Sequence, residues 1–252
     1  MLRTRVIPTL LLSGESLVKT KKFKKPGYIG DAVNTVRIFN ELEVDEIAIL
    51  GINQSRKKIE PNFNLLEELA SECFIPLSYG GGITNIEQAR TLFQIGFEKI
   101  IINSAGYYNP ELITALSEHY GSQSVIGSVD YKMSFRGIPK VYSHGGSKRQ
   151  KGSLQEHISR LVEHGVGEIL LNSIDRDGSW LGFDLDTIKA ISSELEVPLV
   201  ACGGAGTTSD LKEGMDAGAS ALGVGSMVVY QSKGMGVLVS FPDRQKLYNL
   251  LR

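Results

Sequence analysis

Residues 75–104 read IPLSYGGGITNIEQARTLFQIGFEKIIINS, from Ile75 to Ser104. A β-rich apolar run, a glycine turn, a segment with helical periodicity and a second β-rich run follow one another. Moved forward by 122 residues, the stretch falls without a gap on VPLVACGGAGTTSDLKEGMDAGASALGVGS, residues 197–226. Pro76, Leu77, Gly81, Gly82, Gly96 and Ser104 then meet Pro198, Leu199, Gly203, Gly204, Gly218 and Ser226. The same shift lays VDEIAILGI, residues 44–52, on VGEILLNSI, residues 166–174, and matches Glu46 with Glu168. An internal repeat of this extent constrains a fold more than any local propensity does. Generic likeness between βαβ units would not hold one register across two separate segments.

Outward from this repeat, short apolar runs alternate with amphipathic segments along the whole chain. Candidate strands cover residues 5–11, 46–51, 75–79, 99–103, 124–130, 168–171, 199–202 and 221–224. Nearly all lack the in-out alternation of a half-exposed sheet, as parallel strands covered on both faces do. Helical patterns lie near residues 31–42, 62–71, 85–95, 110–118, 153–163, 184–195, 209–217 and 244–251. Asp184 and Ser209 are candidate N-caps, and Gly165 and Gly218 candidate stops. Eight β-α units with fourfold-plus-fourfold repetition predict a (β/α)8 TIM barrel in the α/β class with internal half-barrel duplication. We read residues 1–252 as one domain, with halves of about 1–120 and 121–252. A doubly wound open sheet is the alternative, but it gives no reason for the halves to repeat.

Composition narrows the function. A net charge of −1 gives no global reason to expect nucleic acid or an anionic membrane as partner. The N-terminal apolar run is interrupted by arginines and reads as a buried strand, not a signal peptide. No run approaches membrane-spanning length, so a cytoplasmic location is expected. Cys73 and Cys202 have no metal-ligand spacing and read as buried thiols. His119, His144, His157 and His164 are scattered; His157 and His164, seven apart on one helix, are expected to face solvent. No metal or other cofactor is expected.

Three connections are longer than a barrel needs, and all follow strands, on the face where barrel enzymes keep their chemistry. The first carries Lys19, Lys21, Lys22, Lys24 and Lys25; the second has Gly145, Gly146 and Lys148, Arg149, Lys151; the third contains DRDGSWLG. These lysines are either simply solvated or converge to attract an anion. Gly81 and Gly82 follow the third strand, and Gly203 and Gly204 the seventh, each before a helix start. Glycine lets backbone N–H groups approach an anion closely. Asn103 and Ser104 after the fourth strand, and Gly225 and Ser226 after the eighth, supply a second wall for each turn. Two phosphate sites facing one another across one mouth are expected, suited to a substrate phosphorylated at both ends.

IPLSYGGGI, INSA, YSHGG, GEILLNSIDRDG and CGGAG, in this order, resemble the cyclase subunit of imidazole glycerol phosphate synthase over nearly the whole chain. DRDG and SHGG favour that branch over the related isomerase of histidine biosynthesis, which shares the halved barrel. The resemblance implies a glutaminase partner in a heterodimer. Its ammonia passes along the barrel axis to a bis-phosphorylated substrate, where aspartates ending the first and fifth strands act as acid and base. Asp130 matches the second aspartate. The first is absent: Ile7, Pro8, Thr9, Leu10 and Leu11 stand where the family reads roughly I-P-C-L-D. Leucine carries no proton, so half of the acid/base pair is missing. Gly51 also stands in place of an aspartate. Lys19 matches a family lysine in the loop after the first strand, and Asp177 the DRDG loop. Arg5, Glu46, Lys99 and Glu168, at strand starts, resemble the charged ring through which ammonia enters; the alternative is that they only stabilise the barrel floor. Glu98 is similar to an acidic residue at the glutaminase contact.

The inlet thus reads as kept and the catalyst as damaged. The leading expectation is a diverged paralogue that docks a glutaminase and conducts ammonia for another product. The chain resembles second copies found in bacterial surface-polysaccharide clusters, where a separate amidating enzyme is thought to make acetamidino sugars. A working cyclase of histidine biosynthesis, with Asp177 assisting Asp130, is the second reading. A non-catalytic scaffold that only activates a glutaminase is the third.

Overall fold

The structure is a computed structural model and describes residues 4–251. Eight parallel strands close into a barrel: β1 (Arg5–Ser13), β4 (Ile47–Gly51), β5 (Leu77–Gly80), β6 (Lys99–Ile102), β7 (Val125–Met133), β10 (Glu168–Ser173), β11 (Leu199–Cys202) and β12 (Ala221–Val224). Arg5 to Pro8 pair with Ala221 to Val224, which joins the last strand to the first and leaves the barrel no edge. The four remaining strands are excursions from the C-terminal ends. β2 (Ser16–Lys21) and β3 (Lys24–Asp31) form an antiparallel hairpin on β1. β8 (Pro139–Ser143) and β9 (Lys148–Arg149) extend β7.

Helices cover the outside. Their N-caps show the repeat in physical form. Asp31 caps α1 (Ala32–Glu41) and Ser153 caps α7 (Leu154–Glu163). Asn62 caps α3 (Phe63–Ser71) and Asp184 caps α8 (Leu185–Ser192). Asn85 caps α4 (Ile86–Gln94) and Thr207 caps α9 (Thr208–Asp216). The members of each pair are 122 residues apart, the shift of the sequence repeat. Each cap side chain accepts an N–H that the first helical turn cannot satisfy internally. Ser209 was a candidate cap and is not one: Thr207 holds the end in a reciprocal capping box with Asp210. Gly165 and Gly218 do stop α7 and α9, at φ +99 and +106. The short helices α2 (Gln54–Lys57), α5 (Ala105–Tyr108) and α10 (Ser226–Val229) lie in strand-to-helix connections. α6 (Glu111–Tyr120) and α11 (Arg244–Leu250) complete the shell.

The barrel interior is layered, because alternate residues of each strand point inward. On β1 the inward set is Arg5, Ile7, Thr9 and Leu11, while Val6, Leu10 and Leu12 pack outward under the helices. The floor layer is charged: Arg5, Glu46, Lys99 and Glu168. The middle layer is apolar and contains Ile7, Ala48, Ile101, Ile126, Leu170 and Val200, with Ala221 packed against it from beside Arg5. The upper layer opens into a cavity. Among the described residues no helix is long and apolar enough to cross a membrane.

Candidate functional site

A cavity of about 200 Å³ occupies the C-terminal mouth. Asp130, Lys19, Asp177, Gly81, Gly82, Asn103, Ser104, Gly203, Gly204, Gly225 and Ser226 all line it. Eleven side chains and turns singled out in the sequence therefore meet in one place. Leu11 lines it too, because its position on β1 follows Arg5, Ile7 and Thr9 on the inward face.

Asp130 sits near the end of β7, only 7% exposed. Burial raises its pKa to about 7, helped by the charge of Asp177; hydrogen bonds from Asn103 and Asn172 and the charge of Lys132 work the other way. Asn103 Nδ2 donates to Asp130 Oδ2 at 2.9 Å. Asn172, on the other side, is the register partner of Asp130 on β10. Both amide oxygens, Asn103 Oδ1 and Asn172 Oδ1, are buried without a hydrogen-bond partner. A carboxyl balanced near neutrality can take or give a proton at physiological pH.

Asp177 is differently engaged. One carboxylate oxygen pairs with Lys19 Nζ. The other accepts Thr20 Oγ1 at 2.8 Å and the Phe23 N–H at 3.3 Å. Its backbone oxygen accepts Lys22 N–H at 2.9 Å. Asp177 thus fastens the β2–β3 hairpin over the mouth. Of the five lysines in that connection, Lys19 alone lines the cavity, buried to 9% exposure; Lys21, Lys22, Lys24 and Lys25 are solvated. Lys148, Arg149 and Lys151 are also exposed.

The glycine turns are conformationally obligatory. Gly81 and Gly82 have φ +128 and +73, Gly203 and Gly204 +96 and +114. A Cβ on Gly81 would lie 2.5 Å from Gly51 O, and one on Gly203 2.7 Å from Ser173 O. Gly51 and Ser173 are themselves repeat mates. Gly225 has an ordinary φ but is crossed by the stem of Lys19, whose Cε would lie 3.0 Å from an added Cβ. At Gly51 a side chain would come 2.6 Å from Gln54 Nε2 and 2.8 Å from Tyr79 OH. The room an aspartate needs there is taken. Leu12 pairs with Gly51 across β1 and β4, so positions 11 and 51 belong to one side of the mouth.

At the opposite end the four charges close a ring. Arg5 Nη1 is 2.7 Å from Glu46 Oε2, and Arg5 Nη2 pairs with Glu168. Lys99 Nζ is 2.9 Å from Glu46 Oε2 and 3.2 Å from Glu168 Oε2. Burial opposes the charge on Arg5, but its bonds to Glu168 and Glu46 outweigh that and raise its pKa above the ordinary guanidinium value. The glutamates are repeat mates, whereas both cations come from the first half. Two plus and two minus charges leave no uncompensated buried ion.

The solvent-facing reading of His157 and His164 fails, and that of Cys202 as a buried thiol needs correction. His157 is buried at 3% exposure, stacked on Tyr107 with ring centroids 3.8 Å apart, and burial together with Arg160 lowers its pKa to about 3. His164 is half-buried and bonds Thr114 Oγ1 through Nδ1 at 2.9 Å. Cys73 is buried as expected, but Cys202 reaches the cavity wall. His144 and Asn172 also line the cavity and were not singled out as site residues. Asn172 directly follows the inward Leu170 by two, a period-2 signal that the sequence did carry.

A family model described as "Histidine biosynthesis protein" matches residues 5–233. The chain belongs to this histidine-biosynthesis barrel family. A Pseudomonas aeruginosa protein provisionally named imidazole glycerol phosphate synthase subunit hisF2 is 48% identical over 248 residues, covering 98% of this chain and 99% of the relative. A Leptospira borgpetersenii protein provisionally named imidazole glycerol phosphate synthase subunit HisF is 42% identical, covering 98% and 100%. A Vibrio vulnificus protein with the provisional name subunit hisF3 is 42% identical, covering 96% and 94%. These relatives match the present chain nearly from end to end.

Proposed function

We propose that this barrel is the synthase-type half of a glutamine-dependent amidotransferase pair. A glutaminase docks at the N-terminal face, and its ammonia passes the charged ring and the apolar middle layer to the mouth. The acceptor is a bacterial surface sugar, amidinated by a separate enzyme, and not the substrate cyclised in histidine biosynthesis. The observation that carries this is Leu11, an apolar side chain lining the mouth where the family's acid/base partner of Asp130 belongs.

Several features support the inlet. Arg5, Glu46, Lys99 and Glu168 meet around one axis and not at four separate surface sites. Ala48 keeps part of the layer above them narrow in side-chain bulk, and Ala221 does so beside Arg5. Phe74, 88% exposed in the α3–β5 connection, and the exposed Glu98 lie on the same face as the ring. An exposed aromatic beside charge suits a protein contact.

The working-cyclase reading asks Asp177 to replace the missing aspartate. Both oxygens of Asp177 are already bonded to the hairpin, which counts against it as a free base. The test is a cyclisation assay on the barrel purified with its glutaminase. Loss of an acid/base group lowers turnover by about 10²–10⁴-fold; turnover near that of an ordinary cyclase would reject the proposal. Failure to rescue a histidine auxotroph lacking its cyclase is the matching outcome in cells.

A further inference from the structure

The connection between β8 and β9 brings His144 to the cavity wall, beside Gly145. Its backbone has φ +53, a conformation that costs a non-glycine residue energy and persists only when neighbours hold it. They do. His144 N–H donates to Ser104 Oγ at 3.0 Å, and His144 O accepts from Ser147 Oγ at 2.8 Å.

The ring is held as firmly as the backbone. His144 Nδ1 lies 2.8 Å from Ser143 Oγ, and Ser143 is fully buried. Gln150 Nε2 donates to the same Ser143 Oγ at 2.6 Å and to Tyr108 OH at 2.8 Å. An amide hydrogen therefore already arrives at Ser143 Oγ. The hydroxyl still has its own hydrogen to give, and Nδ1, 2.8 Å away, can accept it when the ring proton is on Nε2. Tyr108 closes one side of the imidazole edge-on at 5.5 Å, with the Lys148 ammonium 4.9 Å over the Tyr108 ring. Burial and the Lys148 charge lower the imidazole pKa, so the ring is neutral near pH 7. Among the described residues no group bonds Nε2.

We propose that His144 is a binding residue of the mouth, fixed by Ser143 and Gln150 as the Nε2–H tautomer so that it donates one hydrogen bond to an anionic oxygen of the ligand. Its attachment to Ser104, in the same cavity as the Gly81–Gly82 turn and Lys19, makes a phosphoryl oxygen the fitting acceptor. This rests on the reading of the mouth as a phosphate cleft. A neutral donor adds direction without adding charge to a cleft that already holds Lys19.

Inorganic phosphate is titrated into the full chain, followed by calorimetry and by imidazole nitrogen spectra. The His144 ring reads as Nε2–H before phosphate is added, and its signals move as phosphate binds. His144→Ala weakens binding about tenfold, the effect of losing one bond to a charged group, and His144→Gln, which keeps an N–H donor, restores most of it. Ribose 5-phosphate titrated in parallel separates the sources: tighter binding assigns the seat to a phosphate ester, equal binding to the free ion, and either keeps the donor. A ring found as Nδ1–H, or unchanged phosphate affinity in His144→Ala, overturns the role of His144 alone. A wild-type chain that binds neither probe overturns the phosphate reading of the mouth and the donor with it.

Discussion

Two residues that line the mouth, Leu11 and Asp130, can each be tested by a single substitution. Leu11 faces the cavity with Asp130. Leu11→Asp restores a second carboxyl, and two carboxyls in one cleft push one another's pKa values apart, which is what an acid and a base need. With the family substrate and the glutaminase supplied, cyclisation rises by about 10²-fold over the wild-type chain. Absence of both turnover and substrate binding would mean that the phosphate turns no longer hold that substrate. Asp130 gives a second prediction, in stability. Its folded pKa, about 7, lies above the unfolded value, so the folded state binds more protons between roughly pH 4 and pH 7. Stability therefore falls as pH rises through that window. Asp130→Asn removes the titration: the variant matches wild type near pH 4 and exceeds it at pH 8 by on the order of 2–4 kcal/mol. Denaturant unfolding at the two pH values checks this, and an unchanged difference would place Asp130 in solvent.

At the scale of elements, the barrel strands and the outer helices were legible because each carries its own local signal, apolar runs for buried parallel strands and capped amphipathic stretches for helices. The β2–β3 and β8–β9 excursions were not. Lys19, Lys21, Lys24 and Lys25 mask the strand pattern, and what holds the first hairpin is a partner 158 residues away, Asp177 on Lys19. No local pattern encodes such a pairing. His157 was misread for a related reason: its burial depends on Tyr107 stacking from another helix. The N-cap of α9 was recoverable, since adding the repeat shift to Asn85 lands on Thr207 and not on Ser209. Asp177→Asn tests the hairpin clasp. It keeps the side-chain shape and an acceptor but removes the charge facing Lys19. We expect faster hydrogen exchange at Lys22 and Phe23, whose N–H groups bond Asp177, with little change in the global unfolding midpoint, because local opening draws on few buried contacts. Equal protection in variant and wild type would show that strand pairing alone holds the hairpin.

Across the whole molecule, floor, middle layer and mouth form one column, and each layer takes residues from both halves. The duplicated parts are the glutamates and the glycine turns; the unique parts are Arg5, Lys99 and the rim at Leu11 and Gly51. Lys99 has Ala221 as its repeat mate, so the chain that places a cation on one side leaves a methyl group on the other. That methyl offers a direct test of conduction. Ala221 is fully buried at the level of the ring, in register with Arg5 and packed against the apolar layer above, and Ala221→Leu fills space there at a stability cost of about 1–3 kcal/mol. The four ring charges and the outer surface keep their residues, so a docked glutaminase keeps its turnover. If the axis carries ammonia, glutamate release persists while glutamine-driven transfer at the mouth drops by about an order of magnitude. Transfer driven by added ammonium salt is unaffected, because it enters from solvent. A Leu11→Asp barrel supplied with the family substrate can report the transfer. Ala48→Leu, in the apolar layer above, repeats the block from another strand and guards against a folding defect peculiar to position 221. Equal loss of glutamine-driven and ammonium-driven transfer would point to a damaged mouth. No loss in either variant would leave the barrel as a scaffold that only activates its glutaminase.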